Sequence, residues 1–307
     1  MTTSGLILGT RGSPLALAQA QLVATALEAA HGWPRGTVRI VPVTTSGDRI
    51  QDRPLAEVGG KALWTKELDL ALLAGETDIS VHSMKDVESE RPETLRIAAM
   101  LPRADVRDRL IGAESIGALP QGAVVGTSSP RRAAQIRRLR PDVRTVSIRG
   151  NVATRLAKLA AGEVDATLLA AAGLDRLAKE DIGVPIDIED MLPAPAQGAV
   201  GIECRADDAR TIALLDSIDH EATSVAVAAE RAFTRALGGT CHSPVAALAR
   251  IDGGQIVFRC EILSEDGSEH IADRAGFAIG DLDAPAALAR SMLARAPISI
   301  RRLFEGG

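Results

Sequence analysis

Two stretches of this chain recur in the same order, and that duplication constrains the fold more than any other feature of its 307 residues. GTRGSPLALAQAQL (9–22) is echoed by GTSSPRRAAQIRRL (126–139), and ALLAGETDISVHS (71–83) by LAAGEVDATLLAA (159–171). The first pair reads as a strand, a small polar turn, Ser-Pro and a helix, with the serine as N-cap and the proline at the first helical position. The second pair reads as a helix end, Gly-Glu-x-Asp and an apolar strand. Strands that alternate with helices need crossover connections, and therefore largely parallel sheets. Two related α/β lobes are expected. Strands are placed at 6–9, 38–44, 78–82 and 124–126, and helices at 13–30 and 61–73.

The last third has a different pattern. Residues 221–237 read as a helix and 238–244 as a loop, followed by strands at 245–251, 256–263 and 269–279. Asp252-Gly253-Gly254 and Asp266-Gly267 supply the turns. A helix over 284–296 closes a small α+β domain. MLPAPAQGAVGI (191–202), rich in Pro and Gly, reads as an interlobe segment. The expected domains are 1–100 with 200–220, then 101–199, then 221–307.

Composition narrows the function. Four Phe, two Trp and no Tyr leave little on which nucleic-acid bases could stack. Forty acids against 35 bases give a net charge of −5, so no global field draws the chain to nucleic acid or a membrane. The N-terminus has neither a basic region nor a long apolar run, and no stretch reaches the ~18 apolar residues of a membrane helix. A cytoplasmic protein is expected. Histidines 31, 82, 220, 242 and 270 show no metal-ligand spacing.

Only five of the 35 bases are lysine. Between Arg131 and Lys158 cations outnumber acids heavily, with Asp142 the one acid. Arg131 and Arg132 follow Pro130 in the first turn of a helix, where the macrodipole disfavours cations. Beside Thr127, Ser128, Ser129 and free backbone N–H groups they make sense if an anion sits among them. Arg11 and Ser13 repeat the arrangement in the first lobe, and Arg149 and Arg155 flank Gly150-Asn151 in a further turn. A polyanion site of phosphate or carboxylate character is expected between the lobes. Arg137, Arg138 and Arg140, further along the helix, read as a tolerant face. GxxxxGK[ST] and GxGxxG are absent from these turns, which argues against a nucleotide.

VHSMKD (81–86) places His82, Ser83, Lys85 and Asp86 at the carboxyl end of an apolar strand, where α/β proteins bind ligands. Cys204 and Cys260 sit in strand-like runs and read as core residues. Cys241 follows two glycines in a loop, which suits a nucleophile or a covalent attachment point.

Together TRGSPLALAQ (10–19), VGGKALWTKELD (58–69), VHSMKDV (81–87), GTSSPRR (126–132), SIRGNVATRLAKL (147–159), AQGAVGIECR (196–205) and ERAFTRALGGTC (230–241) resemble the porphobilinogen deaminase (hydroxymethylbilane synthase) family over nearly the whole chain. The departures are local. Glu88 stands where that family usually has Pro, Pro130 where it usually has Leu, Trp64 for a common Phe, and the cysteine loop reads GGTCHSP.

The resemblance implies two lobes like those of periplasmic binding proteins, plus a small α+β domain carrying the cysteine. It implies a transferase that joins four porphobilinogen units head to tail, losing ammonia at each addition, on a dipyrromethane primer bound by thioether to Cys241. Asp86 would be the catalytic carboxylate. Ser83, Lys85, Thr127, Ser128, Ser129, Arg131, Arg132, Arg149, Gly150 and Arg155 would hold the cofactor and growing chain. Arg11, Ser13 and Gln19, with Arg149 and Arg155, would meet the incoming unit. The protein would be a cytoplasmic monomer in tetrapyrrole biosynthesis, without nucleic-acid, membrane or metal partners. Its aromatic poverty fits a substrate recognised by its acetate and propionate groups. The competing reading is a non-catalytic twin-lobe anion-binding protein, which leaves the third domain and Cys241 unexplained.

Overall fold

The Ser-Pro signature folds as its chemistry dictates. Strand β1 (Ile7–Arg11) runs into a turn where Ser13 Oγ accepts the Ala16 N–H at 3.3 Å, and Pro14 opens helix α1 (Pro14–His31). Its counterpart repeats this: Ser129 caps a helix that Pro130 opens. The computed structural model describes residues 5–44, 65–239 and 243–304. Trp64 and Cys241 lie outside these, as do the first four residues of the helix expected at 61–73.

In chain order the described elements continue with β2 (Arg39–Val43), α2 (Lys66–Leu73), β3 (Ile79–Ser83), a 3-10 turn at Met84–Asp86, and β4 (Leu95–Met100). Next come β5 (Asp108–Ile111), β6 (Val124–Gly126), α3 (Pro130–Leu139), β7 (Arg144–Val146), α4 (Val152–Ala160), β8 (Ala166–Ala170), α5 (Ala171–Asp175) and β9 (Val184–Pro185). The chain then forms β10 (Val200–Arg205), α6 (Ala209–Leu215), α7 (Glu221–Leu237), β11 (Val245–Asp252), β12 (Gln255–Leu263), β13 (His270–Ala278), α8 (Asp283–Arg295) and α9 (Ile298–Arg301). Two compact units result, Met1–Ala104 with Ala199–Ser224, and Asp105–Gly198 with Val225–Gly307.

The first unit holds a five-stranded sheet in the order β2-β1-β3-β10-β4, and the second one in the order β7-β6-β8-β5-β9. In each, three parallel strands are followed by a strand running antiparallel to its neighbours, β10 in one and β5 in the other. The duplication read from the sequence is therefore present strand for strand. One expectation needs correcting. Residues 200–202, read as part of an interlobe segment, begin β10, which pairs with both β3 and β4. A strand buried on both faces loses the alternation that would have flagged it. Gly201 lies against Met84, and a Cβ there would run into Met84 Sδ.

The second unit also carries the antiparallel sheet β11-β12-β13. Its core draws on α7, α8 and α9, and it contains all four phenylalanines of the chain, Phe233, Phe258, Phe277 and Phe304. The two α/β cores are aliphatic, built from residues such as Leu8, Leu27 and Ile79 in one and Leu110, Ile136 and Leu168 in the other. Among the described residues no helix is long and apolar enough to cross a membrane.

Candidate active site

In the first unit the carboxyl ends of β1 and β3 border a cavity of about 60 Å³, lined by Arg11, Ser13, Gln19, His82, Ser83, Asp86 and Thr65 among others. Parallel strands deliver Arg11 and Ser83 to neighbouring positions, and the 3-10 turn that follows β3 swings Asp86 over the same opening. Lys85 is half-buried on that turn. Gln19, one turn into α1 and buried, pairs with Ser83 through 2.8 and 3.0 Å hydrogen bonds, which fixes both side chains. The turn is anchored in turn by the Met84 N–H, which donates to the Ala199 carbonyl at 3.1 Å.

Below this cavity lies a buried ionic cluster that the sequence reading did not anticipate. Glu203, on β10 and fully buried, meets His82 Nε2 at 3.1 Å and accepts Arg91 Nε and Nη2, each at 2.8 Å. Burial would raise the Glu203 pKa, but the hydrogen bonds from His82 and Arg91 outweigh it and bring it down to about 2. Arg91 also donates to Asp69 at 2.6 Å, to Glu88 at 3.1 Å and to the Thr65 hydroxyl at 3.2 Å. Burial pushes the Asp69 carboxyl up despite that contact.

The second unit gathers the remaining candidates at the start of α3 and in the turn before α4. Thr127 is buried, its N–H donating to the Val146 carbonyl at 2.8 Å and its hydroxyl accepting from the Ser129 N–H at 3.2 Å. Ser128 is exposed and donates to the Ile148 carbonyl. Arg149 and Arg155 are half-buried around Gly150, whose carbonyl accepts Arg155 Nε at 3.0 Å. Gly150 has φ +111°, and a Cβ there would meet Thr154 at 2.6 Å, so the turn demands glycine.

Arg131 and Arg132 are both buried, and an anion does sit with them: the carboxylate of Asp108, from β5. Arg131 Nη2 reaches Asp108 Oδ2 at 2.7 Å, and Arg132 Nη2 reaches Oδ1 at 2.7 Å. Gln197 Nε2 adds a third donor at 2.9 Å. Burial opposes ionisation of Asp108, yet the two guanidiniums hold its pKa well below the usual carboxylate range. Burial also lowers the pKa of Arg131. Two guanidiniums share one carboxylate, and Arg131 Nε is buried with no partner among the described residues.

Neither described cysteine is suited to covalent chemistry. Cys204 and Cys260 are buried, and burial pushes their thiols up to about 11 and about 12, away from the reactive thiolate. Helix α7 ends at Leu237 and is followed by Gly238 at φ +71°, three positions before Cys241, which lies outside the described residues.

The family model described as "Porphobilinogen deaminase, dipyromethane cofactor binding domain" matches residues 6–213, and "Porphobilinogen deaminase, C-terminal domain" matches residues 224–295. The chain belongs to the porphobilinogen deaminase family. A porphobilinogen deaminase of Sphingopyxis alaskensis is 61% identical over 97% of this chain and 96% of its own. One of Paracoccus denitrificans is 50% identical over 94% of each. Among solved structures, the second substrate-binding domain of a putative amino acid ABC transporter from Streptococcus pneumoniae superposes with a TM-score of 0.43 at 13% identity, over 70% of this chain and 91% of that one. That likeness is too distant to add to the assignment. Porphobilinogen deaminases are transferases, hydroxymethylbilane synthases that build on a dipyrromethane cofactor, which sets aside the receptor reading.

The residues present fit such a cofactor. Its pyrroles carry carboxylates, and the start of α3 offers hydroxyls, a helix N-terminus and the orphaned, buried Arg131 Nε–H. What the sequence reading missed are the groups behind the candidates: Asp108, Gln197, Glu203 and Arg91. A signal for Asp108 existed. Two arginines in the first turn of a helix require an anion, and an internal one was as good a solution as a ligand.

Proposed function

We propose that Asp86 is the carboxylate at which this porphobilinogen deaminase condenses its substrate. The observation that carries this is the cavity at the carboxyl ends of β1 and β3, which brings Asp86 together with Arg11, Ser13, Gln19 and Ser83. Arg11, the last residue of β1, supplies a guanidinium for a substrate carboxylate. Loss of ammonia from the aminomethyl carbon leaves positive charge spread over the pyrrole. A carboxylate fixed beside the pyrrole N–H stabilises that charge as it develops. Gln19 and Ser83 fix the wall against which the ring must lie. Lys85 is proposed to meet a carboxylate of the growing chain from the same turn.

The dipyrromethane, when bound, supplies the pyrrole end to which units are added. We assign its thioether to Cys241, and its carboxylates to Thr127, Ser128, Ser129, Arg131 and Arg132. Arg149 and Arg155 are proposed to serve both the bound chain and the incoming unit, and Gly150 the bound chain. The three sheets support a division into domains at 1–100 with 200–220, 101–199 and 221–307. The protein is proposed to work as a cytoplasmic monomer.

The intact mass of the protein as isolated tests the attachment. It should exceed the sequence mass by one dipyrromethane, and Cys241→Ala should remove the excess. An adduct mapped to Cys204 or Cys260 would overturn the assignment. An aldehyde reagent for pyrroles should colour the parent and not the variant.

A further inference from the structure

The ionic cluster beneath the Asp86 cavity is built around one side chain. Arg91 has five N–H bonds, and each finds an acceptor: Glu203 Oε1 and Oε2, Asp69 Oδ1, Glu88 Oε2 and the Thr65 hydroxyl. These partners come from β10, from α2, from the residue that precedes α2, and from the chain just after the Asp86 turn. Glu88 is two residues from Asp86, and its carboxylate also accepts from Thr65 at 3.3 Å. Thr65 lines the cavity directly. His82, which lines it too, is held from behind by the same Glu203.

We propose that Arg91 is a positioning residue for the condensation, one that sets the geometry of the Asp86 turn and of the His82–Thr65 floor by clasping Glu203, Glu88 and Asp69. This rests on the reading of Asp86 as the reacting carboxylate. Stability alone is a poor reason for such a cluster. A buried ion pair costs much of its Coulombic gain in desolvation, and apolar residues of similar volume often serve folding as well. What an apolar plug cannot do is tie four chain segments at fixed distances. The Met84–Asp86 turn is a single 3-10 turn, held in front by the Met84–Ala199 bond. Behind Asp86, the tie through Glu88 to Arg91 is what sets where the chain goes next. A misplacement of about 1 Å at a reacting group can cost on the order of 100-fold in rate.

The test separates geometry from folding. Arg91→Met combined with Glu203→Leu and Asp69→Asn removes the buried charges together, so that none is left in the core without its partner. This variant should melt near the parent and carry primer by intact mass. Its kcat should fall at least about tenfold, while KM for porphobilinogen, set on the Arg11 side, should change by less than about threefold. A kcat within threefold of the parent in the folded, primer-loaded variant would overturn the proposal. Arg91→Lys guards against misfolding: it keeps the charge but has three donors on one atom, and should lower kcat in a protein of parent stability. Parent kcat in Arg91→Lys would also count against the proposal. The cycle with Asp86→Asn distinguishes the two readings. If Arg91 acts through Asp86, Arg91→Lys adds little further loss on the Asp86→Asn background. A full additive loss would overturn the positioning role and leave Asp86 standing. Parent turnover in Asp86→Asn alone would take both readings down.

Discussion

Arg132 lays one edge of its guanidinium on a single oxygen of Asp108, Nε at 3.2 Å and Nη2 at 2.7 Å. The other carboxylate oxygen belongs to Arg131. Asp108 is thus the anion that lets two cations occupy the first turn of α3 against the macrodipole. Removing it leaves two buried guanidiniums uncompensated. Asp108→Ala should cost about 3–5 kcal/mol, as for other broken buried ion pairs, and Asp108→Asn less because it still accepts hydrogen bonds. Denaturant titration checks this. A loss under ~1 kcal/mol for Asp108→Ala would mean the cluster relaxes without it.

Glu203 gives the chain an acid-labile bond. Its folded pKa of about 2 lies below the unfolded value, so its contribution to stability is fully present above the unfolded pKa. That contribution is lost as pH falls from about 4.5 through about 2. The groups that face it are His82 and Arg91, with Asp69 on the far side of Arg91. Glu203→Gln should be less stable at neutral pH, and its stability should fall less steeply with acid over that window, by up to about 1.4 kcal/mol per pH unit. Parallel curves for parent and variant would contradict the charge-assisted pairing.

Arg137, Arg138 and Arg140, read from the sequence as one tolerant face, differ in what holds them. Arg140 ion-pairs with Asp142 and donates to the carbonyls of Ile116, Gly117, Leu119 and Pro120. Arg138 pairs with Glu261 at 3.2 Å. Among the described residues Arg137 Nε reaches only back along its own helix, to the Ala133 carbonyl. Arg140→Ala should therefore lower the Tm clearly, and Arg137→Ala hardly at all. Equal melting of the two would return both to the surface.

These cases show what a sequence can and cannot carry. Ser13-Pro14 and Ser129-Pro130 are local signals, since capping depends on neighbours in the chain, and both helices begin where those residues say. The duplicated order of strands was legible for the same reason: each unit repeats its own short pattern. Asp108 and Glu203 were not legible as partners. Their significance lies in residues 23 or more positions away for Asp108 and more than 100 for Glu203, on strands whose registry no local pattern specifies. β10 was hidden in part by Pro and Gly, the residues that elsewhere mark loops. Arg131 and Arg132 were singled out for a sound electrostatic reason, although the sequence sought their anion only in a ligand.

Gly201 offers a steric test of the Asp86 turn. An added methyl would press on Met84, the fully buried first residue of that turn. Overpacking of this kind costs about 1–3 kcal/mol. Gly201→Ala should lower turnover more than its modest loss of stability explains, and Met84→Val on that background should recover stability. Unchanged kcat in Gly201→Ala would show that the turn absorbs the push.

Asp86 is the residue on which the proposed chemistry turns. It follows β3 on a turn held by Met84, lines the cavity with Arg11, and has Gln19 and Ser83 locked beside it. The task proposed for it is electrostatic, for the positive charge it would face exists only while ammonia leaves and the new carbon–carbon bond forms. Asp86→Asn keeps the size and one accepting oxygen but removes the charge. Loss of one preorganised electrostatic group costs on the order of 100–1,000-fold in rate. Asp86→Asn should fold, melt near the parent, and carry primer when supplied with preformed tetrapyrrole, yet consume porphobilinogen at least about 100-fold more slowly. Asp86→Glu keeps the charge but displaces it, and should fall between the two. The deciding quantity is the rate of porphobilinogen consumption by folded, primer-loaded Asp86→Asn: a value within tenfold of the parent would place the reacting carboxylate elsewhere.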